Sequence, residues 1–260
     1  MSPKAQRFHH IAFVASQTRE AHEAHEALEK RYGTCDPDKA DVIVALGGDG
    51  LMLQTLHKFM KSGKPIYGMH RGTIGFLMND FAVESLVERL TAAHITVIHP
   101  LVMHARDTQG RTHEHRAINE VSLFRQSAQT ARLRILIDGQ ERLAELVADG
   151  VLVSTPAGST AYNLSVQGPI IPINASLLAL TAISPFRPRR WRGALLPDKA
   201  KVTIEVKDAD KRPVAAAADH EEVRSVHSVD VSMDHDISLN LLFDPGHNLD
   251  ERILREQFGF

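Results

Sequence analysis

The chain's 260 residues suffice to bury a full core, as one large domain or two modest ones, and a formal net charge of −2 gives no electrostatic case for nucleic acid or an anionic membrane. A single cysteine, Cys35, excludes an internal disulfide and fits a reducing compartment. The first residues lack the apolar stretch of a signal peptide, and no run approaches the roughly 20 apolar residues of a membrane span, so a soluble, cytoplasmic, globular protein is expected.

In chain order, residues 11–14 read as a first strand. Residues 18–32 read as a helix with Ala21, Ala24, Leu28 and Tyr32 as its apolar stripe, stopped by Gly33. Residues 42–46 form an unbroken, β-branched apolar run, as a strand covered on both faces of a parallel sheet requires. Gly47, Gly48, Asp49 and Gly50 follow, then a helix to about Lys61 on which Leu51, Leu53 and Leu56, with His57 and Met60, approximate the helical period. Three glycines in four positions allow positive φ and close approach of backbone to a ligand. Amides in such a turn, backed by a helix N-terminus, suit a phosphate. A bare phosphate cradle gains nothing from a carboxylate. Asp49 therefore orients a phosphate-bound metal, accepts the proton of an attacking hydroxyl, or serves only its own turn. No Gly-Lys-Ser/Thr follows and G-x-G-x-x-G is not matched, so the loop is neither a Walker A nor a dinucleotide fingerprint.

Residues 65–69 read as a third strand leading into a second glycine-bearing turn, 70–77, and residues 82–93 as an amphipathic helix with Leu86, Val87 and Leu90 on one side. Strands alternating with helices imply a parallel sheet with ligands beyond the strands' carboxyl ends, where both glycine turns fall. Near Pro100 the texture changes. Strand-like runs at 101–105, 117–124, 131–137, 144–147, 151–154, 202–206, 213–218, 229–232 and 237–242 alternate with turn signals such as Asp138-Gly139 and Asp149-Gly150. The fold class expected is α/β plus all-β. A Rossmann-like domain spans 1–99, and a β-sandwich-like domain spans 100–246. A C-terminal helix, 247–260, carries Leu249, Ile253, Leu254 and Phe258 at helical spacing and is expected to dock back on the first domain.

Fifteen histidines invite a metal reading. His9-His10 would point to opposite faces of a strand, His22 and His25 lack a third ligand nearby, and His113-Glu114-His115 falls in an expected loop, so no protein-held metal is expected. Asn119 and Glu120 put an amide and a carboxylate inside a strand-like run, which suits vicinal hydroxyls such as those of a ribose or simply a strand's wet edge. Residues 149–165 read as turn, strand, Pro- and Gly-containing loop and short helix, with Ser159 as a cap. Its hydroxyls suit a phosphate or a base edge, and Tyr162 could stack on an aromatic ring. No Gly-x-Ser-x-Gly elbow surrounds these serines, which argues against nucleophilic catalysis. Arg187, Arg189, Arg190 and Arg192 around Trp191 suit a held nucleotide or an intersubunit contact, since no wider basic face accompanies them.

With these residues in view, the chain resembles the bacterial NAD kinase family. The resemblance rests on Gly47-Gly48-Asp49-Gly50, Gly72 with Gly75-Phe76-Leu77, Asn119-Glu120, Asp149-Gly150 through Ser165, Gly168-Pro169 and Asp219-His220, and spans nearly the whole chain. The glycine turn alone is shared with sugar-phosphate and lipid kinases, while Asn-Glu with Ser-Thr-Pro-Ala-Gly-Ser-Thr-Ala-Tyr is far more specific. Leu51 departs from the Thr or Ser common in the wider superfamily. The resemblance implies transfer of the γ-phosphoryl of ATP, with Mg²⁺ or another divalent cation, to the 2′-hydroxyl of NAD's adenosine ribose. It implies Asp49 as base, and Gly47, Gly48 and Gly50 against the phosphates. Asn119 and Glu120 would hold ribose hydroxyls, and Asp149, Ala157, Thr160, Ala161, Tyr162, Asn163, Leu164, Ser165 and His220 would line the dinucleotide site. It also implies a homodimer or homotetramer. The rival readings are a lipid or sugar-phosphate kinase and a non-catalytic dinucleotide-binding regulator.

Overall fold

Apolar strands alternating with amphipathic helices build the first part of the computed structural model, which describes residues 8–71, 76–246 and 258. The strands are β1 (Ile11–Ala15), β2 (Val42–Gly47), β3 (Ile66–His70) and β4 (His94–Ile98); the helices are α1 (Arg19–Tyr32), α2 (Asp49–Lys58) and α3 (Leu86–Ala92). Thr18 caps α1 by accepting the Ala21 amide at 3.3 Å, and Gly33 at φ 70 ends it, its N–H bonded to the Glu29 carbonyl. Ala21, Ala24 and Leu28 are buried as the stripe predicts, and the Tyr32 hydroxyl donates to the Val83 carbonyl at 2.7 Å.

Two helices differ from the expected pattern. In α2 the buried face is Met52, Thr55 and Leu56, with Leu51 and Leu53 half-buried. Helix α3 starts four residues late, after Ser85 at φ 55, and Val87 lies on its exposed side while Leu86 and Leu90 are buried.

The chain then leaves this unit and makes twelve strands between His99 and Asp236. These are β5 (Leu101–Asp107), β6 (Thr112–Ala117), β7 (Glu120–Arg125), β8 (Ala131–Ile137), β9 (Gln140–Ala148) and β10 (Gly150–Ser154). After the four-residue helix α4 (Tyr162–Ser165) come β11 (Leu177–Ile183), β12 (Gly193–Pro197) and β13 (Val202–Val206). β14 (Val214–Ala218), β15 (Glu221–Val223) and β16 (Val226–Met233) complete the set. They form two six-stranded sheets, ordered β6-β5-β16-β13-β8-β9 and β12-β11-β10-β7-β14-β15. Residues from both sheets, among them Leu133, Ile204 and Val229 of one and Leu123, Val153 and Leu180 of the other, share one core. This is the sandwich packing that alternating strands call for. His113, Glu114 and His115, expected in a loop, lie on β6, an edge strand whose outer side is free to be polar.

A second correction concerns residues 237–246, expected in the second domain. The strand β17 (Leu239–Phe243) returns to the first unit, lying parallel to β3 and antiparallel to β4 in the order β1-β2-β3-β17-β4. Its apolar residues Leu239, Leu241, Leu242 and Phe243 are all buried, as an inner strand with both faces covered requires and a half-wet sandwich strand does not. The expected C-terminal helix lies outside the described residues, apart from Phe258.

Past β17, Asp244 accepts the Tyr67 hydroxyl at 2.7 Å and pairs with Arg89 of α3. Buried Asn79 donates to the carbonyls of Gly68 at 3.0 Å and Leu242 at 2.9 Å and accepts the Asp244 amide at 2.9 Å. The carboxylate and the guanidinium are 13% and 19% exposed, so removing one strands the other away from water. Asp244→Ala should therefore cost roughly 3 kcal/mol, the low end for breaking a buried pair. A urea midpoint equal to that of the unaltered protein would show that the pair contributes nothing.

Candidate functional site

In the first unit, Gly47 ends β2, Gly48 is the cap residue of α2, and Asp49 is its first helical residue. None of Gly47, Gly48 and Gly50 has positive φ, contrary to the expectation; Gly48 sits at −121°. Their use is spatial. A Cβ on Gly47 would come within 2.9 Å of the Leu51 side chain, whereas Gly48 and Gly50 face open space, with nothing within 4 Å of an added Cβ. A bulky anion can thus reach the backbone at the start of a ten-residue helix, where partial positive charge collects.

Asp49 does not merely satisfy its own turn. One carboxylate oxygen accepts the Phe76 amide at 2.6 Å and the other the Leu77 amide at 2.8 Å. Those amides follow the second glycine turn, whose residues 72–75 lie outside the described set. They are anchored from the other side by Asn79, whose carbonyl accepts the His70 amide at 2.9 Å and whose own amide reaches the Gly68 carbonyl at 2.7 Å. The carboxylate is held in one orientation and, with about four acceptor sites, still has room for a hydroxyl proton.

In the second unit the expected single strand over 117–124 is broken. β6 ends at Ala117 and β7 begins at Glu120. Between them the amides of Ile118, Asn119 and Glu120 all donate to the Asp219 carboxylate, at 2.7, 3.0 and 3.3 Å. On the other side the Ile118 carbonyl accepts the Thr155 hydroxyl at 2.7 Å and the Asn119 carbonyl accepts the Thr155 amide at 3.0 Å. The backbone is so close here that a Cβ on Gly158 would stand 2.1 Å from the Asn119 carbonyl oxygen. Glu120 pairs with Ser154 across the strands, and its carboxylate receives the Tyr162 backbone amide. One of its oxygens is buried without a hydrogen-bond partner. Burial first, then the charge of Asp219, raises this carboxyl from its ordinary 4.5 to about 7. The Tyr162 hydroxyl is also pushed up, by burial and by the charges of Glu120 and Asp149.

The remaining expected site residues divide. Thr160, Ala161, Tyr162 and Leu164 are half-buried and Ser165 exposed, on the loop and short helix after β10. His220 is exposed in the turn between β14 and β15, next to Asp219 and 3.5 Å from Glu221. Ala157 is buried. Asn163 is fully buried and its amide is spent inside the protein, on the Ser159 and Pro169 carbonyls and the Thr181 hydroxyl. Ser159 is not a helix cap: its hydroxyl donates to the Pro156 carbonyl at 2.7 Å and accepts the Ile171 amide at 3.0 Å. Asp149 precedes Gly150, which pairs with Phe124, so it stands at the opposite end of β10 from Glu120, roughly 16 Å along the strand. There it pairs with Arg125 at 2.6 Å.

The arginine cluster does not converge. Arg187 and Arg189 lie over the Phe186 ring, Arg192 donates to Gln167, and Trp191 packs on the sandwich core. Among the described residues no three His, Cys, Asp or Glu side chains gather to hold a metal. Asp219, Thr155, Phe76 and Leu77 entered the sequence reasoning only as parts of motifs, with no role of their own; in the structure they are the residues that hold others. For Asp219 the available signal was an Asp-His pair in a turn between two alanine- and valine-rich strand runs.

Burial and the neighbouring Asp219 charge thus perturb the Glu120 carboxyl, and perturbed carboxyls cluster at functional sites. Because the folded value lies above the unfolded one, the native state holds more protons between about pH 4.5 and 7, and stability falls as pH rises through that window. Glu120→Gln should therefore be more stable than the unaltered protein at pH 8, by no more than roughly 3 kcal/mol, with the gain fading towards pH 5. Urea titrations at the two pH values decide it, and an equal difference at both would contradict the raised value.

Comparison with known proteins gives a consistent picture. Residues 4–95 match the ATP-NAD kinase N-terminal domain and residues 118–234 the ATP-NAD kinase C-terminal domain. The NAD kinase of Hyphomonas neptunium is 59% identical over 250 residues, covering 96% of this chain and 98% of that protein. The NAD kinase of Caulobacter vibrioides is 59% identical over 249 residues, covering 96% of each. Yeast NADH kinase, solved with NADH, aligns with a TM-score of 0.84 at 22% identity over 98% of this chain and 89% of that one. An NAD kinase from Archaeoglobus fulgidus, solved with ATP, gives 0.75 at 21% identity over 96% and 97%. At such identities the two structures speak for the fold alone.

Proposed function

The chain belongs to the ATP-NAD kinase family, and from that premise we infer that it transfers the γ-phosphoryl group of ATP to the 2′-hydroxyl of the adenosine ribose of NAD, forming NADP and ADP. The observation that carries this is 59% identity, over nearly the full length of both chains, to proteins named NAD kinase. The geometry of each unit supports it.

The acceptor hydroxyl oxygen bonds to the γ-phosphorus as the bond from that phosphorus to the β–γ bridging oxygen breaks, and the hydroxyl proton passes to a carboxylate. Asp49 is that carboxylate: the Phe76 and Leu77 amides fix its orientation, and it keeps acceptor capacity for the hydroxyl. A carboxylate is a weak base towards an alcohol, so proton transfer comes late and the rate depends chiefly on positioning. Open space over Gly48 and Gly50 admits the phosphates.

Asn119 and Glu120 hold ribose hydroxyls, with the unpartnered Glu120 oxygen as acceptor. Thr160, Ala161, Tyr162 and Ser165 line the dinucleotide, and Tyr162 offers its ring to an aromatic base. Mg²⁺ fits as a cation carried in by the phosphates of ATP, which the open space over Gly48 and Gly50 admits. When bound it neutralises charge on the transferring group. A homodimer or homotetramer in the cytoplasm completes the reading.

The test is formation of NADP⁺ from NAD⁺, ATP and Mg²⁺ by the purified protein, with Asp49→Asn assayed in parallel. The unaltered protein should turn over, and the variant should lose about 10²- to 10⁴-fold in kcat, the usual contribution of a general base, with NAD affinity nearly intact. Near-normal turnover by the variant would remove Asp49 from the role of base. No product from the unaltered, folded protein, with either ATP or polyphosphate as donor, would favour a dinucleotide-binding regulator.

A further inference from the structure

We propose that Asp219 is a positioning residue for NAD, fixing the Ile118–Glu120 backbone so that the Asn119 amide and the Glu120 carboxylate meet the ribose hydroxyls. This deepens the NAD kinase reading and rests on it.

In a regular strand successive N–H groups point to alternate sides, so three consecutive amides on one carboxylate mean that the backbone here is not strand but a concave nest. Such nests bind anions; this one is filled by the protein's own carboxylate. The bonds are charge-assisted, roughly twice as strong as neutral ones. Asp219 is itself fixed. It sits at φ 50, a left-handed conformation that Asp tolerates better than most residues, and its amide donates back to the Glu120 carbonyl at 3.1 Å. Thr155 grips the carbonyls of the same dipeptide from the other side. The two side chains that would read the ribose therefore leave a backbone clamped at both its donors and its acceptors.

Asp219 also acts through its charge. Glu120 faces Asp219 from the β14–β15 turn and Tyr162 from α4, with Asp149 beyond Tyr162; neighbouring His220 stands beside Glu221. Of these, Asp219 is the charged group that raises the Glu120 carboxyl. NAD binding should need Glu120 as carboxylate, so affinity should rise with pH through about 7. Neutralising Asp219 should move that limb to lower pH.

The experiment compares Asp219→Asn and Asp219→Ala with the unaltered protein, measuring KM for NAD, KM for ATP and kcat from pH 5.5 to 8.5, with a thermal melt to confirm folding. In Asp219→Asn the side-chain oxygen can still accept from Asn119 and Glu120, but its NH₂ faces the Ile118 N–H and the charge is gone. We expect KM for NAD to rise about tenfold, equivalent to about 1.4 kcal/mol, with kcat and KM for ATP within about threefold. The acid limb of kcat/KM for NAD should shift to lower pH. Asp219→Ala should raise KM for NAD further; if it does not fold, the Asn variant decides alone. A folded Asn variant with unaltered KM for NAD and an unmoved limb would overturn the proposal. So would a raised KM with an unmoved limb, since a merely structural role predicts that. Absence of NADP⁺ formation by the unaltered protein would overturn the underlying reading instead.

Discussion

The Asp219 carboxylate takes three backbone amides in a row, and the arrangement of the second unit around Asn119 depends on it. These bonds fall where the chain passes from one sheet of the sandwich to the other, β6 belonging to the first and β7 to the second. The same device appears at Asp49, whose carboxylate takes two successive amides after the second glycine turn. In each place a buried or half-buried carboxylate accepts successive backbone amides.

The electrostatic consequence is concentrated at Glu120. It shares its neighbourhood with Asp219, has one oxygen without a partner, and is mostly withdrawn from water. A ribose offers two hydroxyl donors, the complement of such an oxygen. The residues around it are held by bonds that do not involve a ligand: Asn163 by three internal partners, Ser159 by two, Thr155 by the Ile118 carbonyl and the Gly158 amide. The loop after β10 thus keeps its shape before anything binds, which reduces the ordering cost of recognition.

Much of the architecture was legible in residue order, and the exceptions share causes. Of the strands not foreseen, β4, β6, β12 and β15 all stand at the edge of a sheet, where one side of the backbone meets solvent and the alternation that marks a half-buried strand fades. His113-Glu114-His115 is the plainest instance. β11 escaped for the opposite reason, being an almost continuous apolar run that periodicity cannot assign to helix or strand. The assignment of β17 went to the wrong unit because sequence adjacency favoured the sandwich, although its Leu-Asn-Leu-Leu-Phe run already has the two-sided burial of an inner α/β strand.

By itself the sequence determined the class of each half, the glycine turn with its single carboxylate, the Asn-Glu pair and the family to which these motifs point. The class, the turn and the pair are properties of local composition and spacing that short-range chemistry suffices to read, whereas the family was reached through the resemblance of the motifs. Tertiary structure alone decided which residues hold the site and which face it. Asp49 is oriented by amides 27 and 28 positions away and Asn119 by a carboxylate 100 positions away. Asn163, for all its place in the motif, turned inward. Hydrogen bonds across such separations depend on how strands are ordered in a sheet, and strand order is settled by the burial of whole faces rather than by any segment's own preference.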